Sequence, residues 1–565
     1  MIAVLFTWVV ILYVCIILGK TITFCYSSGR TESCYSAIDT FFIGLCISGT
    51  LISINSLFLP SGLTTAFALC AIAIICHLIL IKKGAISYTQ IKQKVKLLSY
   101  PQKIWIMIAG ICLVLFAMVP PQLPDTFYYH IQNIMWNDEY SVVPGLANLH
   151  DRFGFNSNIF LFYAVFGFKA IFGQYIFAFN ALCFVLIITD VIFNACNKKI
   201  LFILSCAIIL LFYFSYKLHI GAPSSDLLVN LFIIYLMLQI LRDKNSITGK
   251  PLLFYTIPIF CITLKVSAAG IAILALIVLI HVCRTKSYKQ LSFLLILASC
   301  IILPWLTRNI IISGYLIYPF SAIDLFSFDW KLPEQYAIES QKYIKAYAIS
   351  TDAFKSSDLV LGYPLSIKIS KWIAEQSLLN LSICIAASLS ILYAIPLIIR
   401  KKLYKTDSAT FLLWIAALIS ILVWIFSAPD IRFVVGFMSV LIIIPLYKLV
   451  EYYAPNVELQ LTKQKIYIIG SVFMFVLLVL SARYYKATKD WREPISKTLY
   501  TPDTVDIFYE IREVVIEGQI RVNNLTLYLP IGGCLDCPLP CSRDYIKNIE
   551  MRGTSLQEGF REKKN

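Results

Sequence analysis

Long runs of apolar residues recur along almost the whole chain, and this pattern restricts the fold more than any motif does. Most runs are about 17–23 residues long, the length that crosses a bilayer as a helix. Helices are expected because backbone groups in lipid must pair within their own segment, and a β-barrel would instead show short alternating strands. The pattern therefore predicts an all-α polytopic membrane protein.

Composition and charge placement agree with this class. Hydrophobic residues make up 59% of the 565 positions and charged residues only 14%, whereas a soluble domain carries about a quarter charged residues. The net charge of +16 first suggests a nucleic-acid partner. However, the Lys and Arg residues are concentrated in short loops between apolar runs, which is the orientation signal of a membrane protein. We therefore predict a lipid bilayer as the surroundings and no nucleic acid as partner.

The runs predict about fourteen membrane-spanning helices. They cover about residues 1–19, 38–58, 63–82, 103–120, 174–195, 200–216, 226–242, 251–264, 267–283, 290–311, 377–399, 408–427, 431–449 and 465–483. The first run has no basic residue before it and Lys20 after it. This charge order is the reverse of that in a signal peptide, so the run is expected to be retained, with its N-terminus outside.

The basic loops give these spans one orientation. Strict alternation places on the cytoplasmic side Lys82, Lys83, Lys92, Lys94, Lys96, Lys198, Lys199, Arg242, Lys244, Arg284, Lys286, Lys289, Arg400, Lys401, Lys402, Lys405, Lys463 and Lys465. The outer side then receives segments 121–173, 217–225, 312–376 and 484–565. Within the first of these, the apolar run from Ile159 to Gly173 is expected to lie as a helix at the membrane interface.

Three parts follow: 1–102 with three extra spans and a basic loop, a transmembrane core over 103–483, and a small α/β outer tail over 484–565. The tail contains an alternating stretch, Leu525 to Leu529, and then Cys534, Cys537 and Cys541. A zinc site usually needs four ligands and no fourth is near, so a disulfide is the simpler interpretation on the outer side.

Asp125 is the first candidate catalytic residue. It follows the prolines that end the fourth span and begins a helix, where a carboxylate either acts as a general base or caps that helix. His130 lies five residues further on, a spacing that puts it on a different face of a regular helix. The polar loop after it contains Asn148, His150 and Arg152, and such a loop beside a membrane is more typical of binding than of packing.

Further candidates fall at other outer span ends. Asp226 begins the seventh span, as a cap or as a functional acid. Lys265 separates two apolar runs, where a charge is costly unless it meets water, a counter-ion or an anionic ligand. Arg308 either grips phosphate or anchors a span end. Asp430 and Arg432 share a tight loop and could pair with each other. Acids and cations gathered at one face suit a lipid-phosphate substrate and a proton to be removed.

At these residues the chain resembles the multi-spanning glycosyltransferases of the GT-C fold, the class that contains protein O-mannosyltransferases and the aminoarabinose transferase of lipid A. The family's Asp-x-x-Tyr-Tyr-His context is matched by Asp125, Tyr128, Tyr129 and His130. Its Pro-x-x-Asp and Leu-Thr-Lys-like segments are matched by Pro223 with Asp226, and by Thr263, Leu264 and Lys265. Residues 143–156, 305–319 and 428–433 are similar to a bacterial branch of the fold, and the resemblance covers about 103–450.

The resemblance implies a GT-C-like bundle that moves a sugar from a polyprenyl-phosphate carrier to a glycan, lipid or protein acceptor, at the outer face of a bacterial inner membrane. Asp125, His130 and Asp226 would be catalytic. The substrate-binding residues would be Tyr129, Asn148, His150, Arg152, Lys265, Arg308, Asp430 and Arg432. No cofactor is certain, and a divalent cation is possible. Several members of the family carry an acidic pair in the first loop, whereas here the next acids, Asp138 and Glu139, lie well beyond Asp125, so the resemblance does not imply a metal requirement. A transporter or flippase, an O-antigen polymerase or ligase, and a non-catalytic scaffold are the alternatives.

Overall fold

The computed structural model describes residues 1–27, 34–86, 98–399, 408–489, 500–502, 516–530, 534–542 and 545–563. Some loop residues used to orient the spans lie outside these ranges, namely Lys92, Lys94, Lys96, Arg400, Lys401, Lys402 and Lys405.

The described residues are mostly helical. The first α-helices are α1 (Ile2–Tyr26), α2 (Ala37–Asn55), α3 (Leu63–Lys82), α4 (Tyr100–Ala117), α5 (Ile131–Glu139), α6 (Asn158–Phe166), α7 (Lys169–Phe172), α8 (Phe179–Phe193), α9 (Lys199–Ile220), α10 (Ser225–Arg242) and α11 (Ser246–Gly249). The others are α12 (Pro251–Leu264), α13 (Ile273–Arg284), α14 (Tyr288–Ser313), α15 (Glu334–Tyr347), α16 (Ser357–Gly362), α17 (Leu365–Glu375), α18 (Leu378–Ile399), α19 (Ser408–Ser427), α20 (Val435–Tyr453), α21 (Pro455–Gln460) and α22 (Lys463–Thr488). A π-helix covers Thr126–His130, and 3₁₀ turns cover Leu146–Asn148, Asp151–Gly154, Val266–Ala272, Thr351–Phe354, Ile431–Phe433 and Leu556–Glu558.

Within the described ranges, 12 helices are long and apolar enough to cross a membrane. They are α1, α2, α3, α4, α9, α10, α13 with the 3₁₀ turn before it, α14, α18, α19, α20 and α22. The predicted spans 174–195 and 251–264 correspond to the shorter apolar helices α8, of 15 residues, and α12, of 14 residues. The chain is therefore an all-α polytopic membrane protein.

The leading helices pack into this bundle. A Cβ atom built on Gly44 of α2 would lie 1.7 Å from the backbone oxygen of Cys15 in α1, so only glycine permits this close crossing. On its other side α2 reaches the buried helix α10, because the Phe42 ring lies 5.4 Å from Phe232 and 4.7 Å from Tyr235. Thus α2 connects the chain's first spans to its centre.

The structure corrects the first part of the run expected to lie at the interface, because α6 is buried in the bundle, whereas α7, the second part, has no buried residue. All nine residues of α6 are buried, and the helix packs against α2, α3, α5 and α12. Its Phe162 ring stacks on Phe179 of α8 at 4.9 Å between centroids. The aromatic run is too short to span a bilayer, and it gains its burial from neighbouring helices instead of lipid headgroups.

The described tail residues form two small antiparallel sheets that contact the loops before α6 and α15. Strands β1 (Ile516–Val522) and β2 (Leu525–Pro530) pair with each other, as do β3 (Ile549–Met551) and β4 (Phe560–Glu562). A disulfide joins Cys534 to Cys541, and Cys537 is a buried free thiol. The tail is anchored by hydrogen bonds such as that from Gln132 Nε2 to the Cys537 carbonyl at 2.8 Å.

Candidate active site

Five of the predicted site residues meet at one end of the bundle. This charged cluster consists of Asp125, Asp226, Lys265, Asp430 and Arg432. Arg432 is its centre, because its Nη1 atom lies 3.2 Å from an Asp125 oxygen and its Nε atom 2.8 Å from Asp430 and 3.8 Å from Asp226. Four distant parts of the sequence thus supply one site.

Lys265 adds a second cation to the cluster. It ends α12 and begins a 3₁₀ turn in extended backbone conformation. Its Nζ atom pairs with the Asp226 carboxylate and lies 3.5 Å from the centre of the Phe433 ring. The carboxylate and the ring together balance a charge that would otherwise be costly beside two apolar helices.

Asp125 does not act as a side-chain cap. It is the N-cap residue of the π-helix, but its carboxylate accepts no capping hydrogen bond there and faces Arg432 instead. A π-helix is wider than an α-helix, and its backbone bonds link residues five positions apart. The π turn therefore brings His130 round towards Asp125, and each side chain acts electrostatically on the other.

At the start of α10, Ser224 caps the helix and Asp226 forms the ion pairs. Ser224 caps α10 by accepting from the Asp226 N–H at 3.3 Å, which leaves the Asp226 carboxylate for Lys265 and Arg432. The Ser224 hydroxyl also lies 2.7 Å from His219 Nδ1. His219 is buried beside the cluster and was not among the predicted residues. The sequence feature that could have identified His219 is its position in segment 217–225, just before Asp226.

The cluster strongly shifts the titration of its members. Burial raises the pKa of Asp125, but the charges of Arg432, His130 and Arg152 together outweigh burial and hold that pKa below its ordinary value. Burial lowers the pKa of His130 to about 4, against the opposing charge of Asp125, so the ring is neutral near pH 7. Burial lowers the pKa of Arg432, and the three surrounding carboxylates more than reverse this.

Tyr129 and Arg152 flank the charged cluster. The pKa of Tyr129 is raised by burial and then by the charge of Asp125. The Arg152 guanidinium lies 5.2 Å from the ring centre of Tyr343 in α15, and its charge acts on Asp125 as well as on Tyr129. Arg152 is therefore a third cation beside the cluster, supported from helix α15.

Asn148 and His150 make structural contacts in the same loop. Asn148 Nδ2 donates to the carbonyls of Gly145, Trp330 and Phe560 at 3.0, 2.9 and 3.3 Å. His150 Nδ1 accepts from the Arg152 N–H at 3.1 Å and so caps the 3₁₀ turn that presents Arg152. Asn148 thus ties the loop to the tail, and His150 orients its neighbour.

Arg308 lies in a separate network. Its three nitrogens donate to Asn156 Oδ1 at 3.1 Å, Ser56 Oγ at 2.7 Å and Asn137 Oδ1 at 2.7 Å. The side chain is buried, and none of these partners belongs to the charged cluster.

A divalent cation does not fit the side chains present. Among the described residues, no group of three or more His, Cys, Asp and Glu side chains is arranged to hold a metal ion. Asp125, Asp226 and Asp430 all face the Arg432 guanidinium, which takes the place a cation would need.

A family model described as "Domain of unknown function (DUF8201)" matches residues 1–439. The chain belongs to this family. The match begins at the first span and includes the whole charged cluster, whereas the tail strands lie beyond it. Comparison with curated proteins and with solved structures gave no match.

Proposed function

We propose that this chain is a membrane glycosyltransferase that moves a sugar from a polyprenyl-phosphate carrier to a glycan, lipid or protein acceptor at the outer face of a bacterial inner membrane. The observation that carries the proposal is the convergence of acids and cations on Arg432 at the ends of apolar helices. An anionic lipid headgroup and a proton-accepting step require this combination in one place.

Asp125 is the proposed general base. Its side chain is 36% exposed, compared with 10% for Asp226 and 25% for Asp430, so it is the acid most open to an acceptor. Arg432 keeps it ionised at neutral pH, and an ionised carboxylate can accept the proton of an acceptor hydroxyl. His130, neutral and close by, would orient the same hydroxyl.

The proposed reaction is one displacement with inversion. The acceptor oxygen forms a bond to the anomeric carbon while the bond from that carbon to the phosphate oxygen breaks, through an oxocarbenium-like transition state. The hydroxyl proton passes to Asp125, and the bonding electrons leave with the lipid phosphate. Lys265, Arg432 and Arg152 would stabilise the added negative charge. Arg308 lies in its own network, so it takes no direct part in this scheme.

Asp226 has a positioning role in this scheme. It pairs with Lys265 and faces Arg432 at 3.8 Å, so it holds both cations at the helix ends. The arrangement supports an enzyme more than a transporter or flippase, because the cluster gathers at helix ends, whereas transporter sites lie near mid-membrane.

The test is transfer from defined polyprenyl-phosphate sugars by the purified protein in lipid nanodiscs. Asp125→Asn keeps the size of the side chain but removes the base, and we expect transfer to fall by about 10²–10⁴-fold. Asp358→Asn is the matched control, because this carboxylate is 78% exposed and pairs with Lys342, away from the charged cluster. An Asp125→Asn protein with full activity would refute the base, and a wild-type protein inactive on every donor would refute the proposal.

A further inference from the structure

Arg308 is a buried cation whose polar partners are all neutral. Only 2% of the residue is exposed, and its three hydrogen bonds go to the side-chain oxygens of Ser56, Asn137 and Asn156. Within the part of the chain that the structure describes, no carboxylate pairs with it. A buried charge without a counter-charge is costly, because neutral dipoles replace only part of its hydration.

Two N–H groups of this guanidinium remain for another acceptor. A guanidinium carries five N–H donors, and three of them are used by Ser56, Asn137 and Asn156. The remaining two belong to Nη1 and Nη2, which make one hydrogen bond each among the described residues.

A small cavity is lined by Arg308 and by Trp136, a residue with a further unused donor. Its lining also includes Asn137. Trp136 is 1% exposed, and its Nε1 is buried with no hydrogen-bond partner among the described residues. An indole N–H can only donate, so Arg308 and Trp136 give the lining of the cavity a positive charge and unused donors.

We propose that this cavity binds a small monovalent anion of the halide class, with chloride as the simplest case. The anion would accept from the two remaining Arg308 N–H groups and from Trp136 Nε1. A water molecule would accept from the same donors but would not balance the charge. The cavity has room for about one water-sized occupant, which suits a single-atom anion better than a phosphate or sulfate ion.

The site would fasten the outer loops to the bundle. Arg308 belongs to α14, Ser56 directly follows α2, and Asn137 and Trp136 lie on α5. An anion between them would hold α5, which follows the π-helix of Asp125, against two spanning helices. This inference does not rest on the proposed glycosyltransferase activity.

The experiment measures thermal unfolding of the full chain in nanodiscs while sodium chloride replaces sodium gluconate at constant ionic strength. Binding to the folded state alone raises the midpoint with anion concentration, so we expect a saturable rise with chloride and with bromide. The rise should disappear in Arg308→Gln and weaken in Trp136→Phe. If Arg308→Gln fails to fold, the Trp136→Phe protein provides the test of the anion site.

Lys342→Gln is the control, because Lys342 makes an exposed ion pair with Asp358 and its loss should leave the chloride response unchanged. Equal midpoints in chloride and gluconate would mean that water alone fills the cavity, and this would overturn the proposal. Stabilisation by sulfate but not by halides would overturn it as well. So would a chloride response that persists in both Arg308→Gln and Trp136→Phe.

Discussion

The Arg432 guanidinium lies 3.2 Å from the Asp125 carboxylate, although 307 positions separate the two residues in the sequence. The contact joins the segment after the fourth span to the loop before α20. Because Asp226 and Asp430 face the same guanidinium, one arginine compensates three acids from separate parts of the chain. The stability of this end of the bundle and the ionisation of Asp125 therefore depend on the same side chain.

Arg432→Gln should destabilise the protein and reduce any activity that uses Asp125. Lys265 would then be the remaining cation for Asp226 and Asp430, and Arg152 for Asp125. Because the cluster is partly exposed, we expect a loss of about 1–3 kcal/mol in the free energy of unfolding, between the values for exposed and buried ion pairs. Arg432→Lys should recover only part of this, since an ammonium lacks the planar fork that reaches several carboxylates. Unfolding at neutral pH measures the effect.

Measurements at lower pH distinguish the loss of the Arg432 charge from the loss of its packing contacts. In Arg432→Gln the crowded carboxylates should have raised pKa values in the folded state, so protonation stabilises that variant as the pH falls towards 5. Lys342→Gln, at an exposed ion pair, should change stability by about 1 kcal/mol or less. An Arg432→Gln protein with wild-type stability would show that the cluster is not held by this cation.

His130 should make the protein's stability depend on pH. Burial lowers its pKa from 6.5 to about 4, so between these values the unfolded chain binds the proton more readily than the folded one. Stability therefore rises with pH across this window, by on the order of 3 kcal/mol from this group. His130→Phe should remove that component, measured as the difference between the two proteins' stability–pH curves. Parallel curves would contradict the buried neutral ring.

The sequence predicted the fold class and much of the charged cluster for clear physical reasons. Apolar run lengths report bilayer crossing directly, and charge alternation places Asp226, Lys265 and Arg432 on one face. Neither signal gives distances, so the sharing of Arg432 by three acids was not predictable. The π turn that brings His130 towards Asp125 also has no sequence signature, because the regular-helix spacing places the two apart.

Arg308, Asn148 and α6 show why other details could not be predicted. The partners of Arg308 are amide and hydroxyl oxygens from three separate segments, and those of Asn148 are backbone carbonyls. Neither kind of partner is visible in a pattern of charges. The burial of α6 depends on which helices surround it, whereas its composition also suits a membrane surface.

Asn148→Ala should loosen the tail. Its amide donates to the Phe560 carbonyl of β4 and to the Trp330 carbonyl before α15, so its loss leaves both carbonyls without this donor. We expect limited proteolysis to release the C-terminal strands faster, while the spanning helices remain protected. Asn380→Ala is the control, because this amide donates to the nearby Gln376 side chain and not to the tail among the described residues. Equal cleavage rates in wild type, Asn148→Ala and Asn380→Ala would contradict this anchoring role and would favour a role of Asn148 in substrate binding.

The outer helix α17 should lie in the headgroup region of the outer leaflet. None of its residues is buried, and Leu365, Ile369 and Ile373, spaced four apart on one face, are 73%, 50% and 46% exposed. Such a stripe is costly in water and stable at a membrane interface. The neighbouring Trp372 donates to the Pro429 carbonyl at 2.7 Å, so the helix would join the lipid surface to the loop of Asp430.

Brominated lipids should therefore quench the fluorescence that Trp372→Phe removes, but not the fluorescence removed by Trp136→Phe, whose indole is 1% exposed. Equal quenching of the two indoles, or none of Trp372, would place α17 away from the membrane.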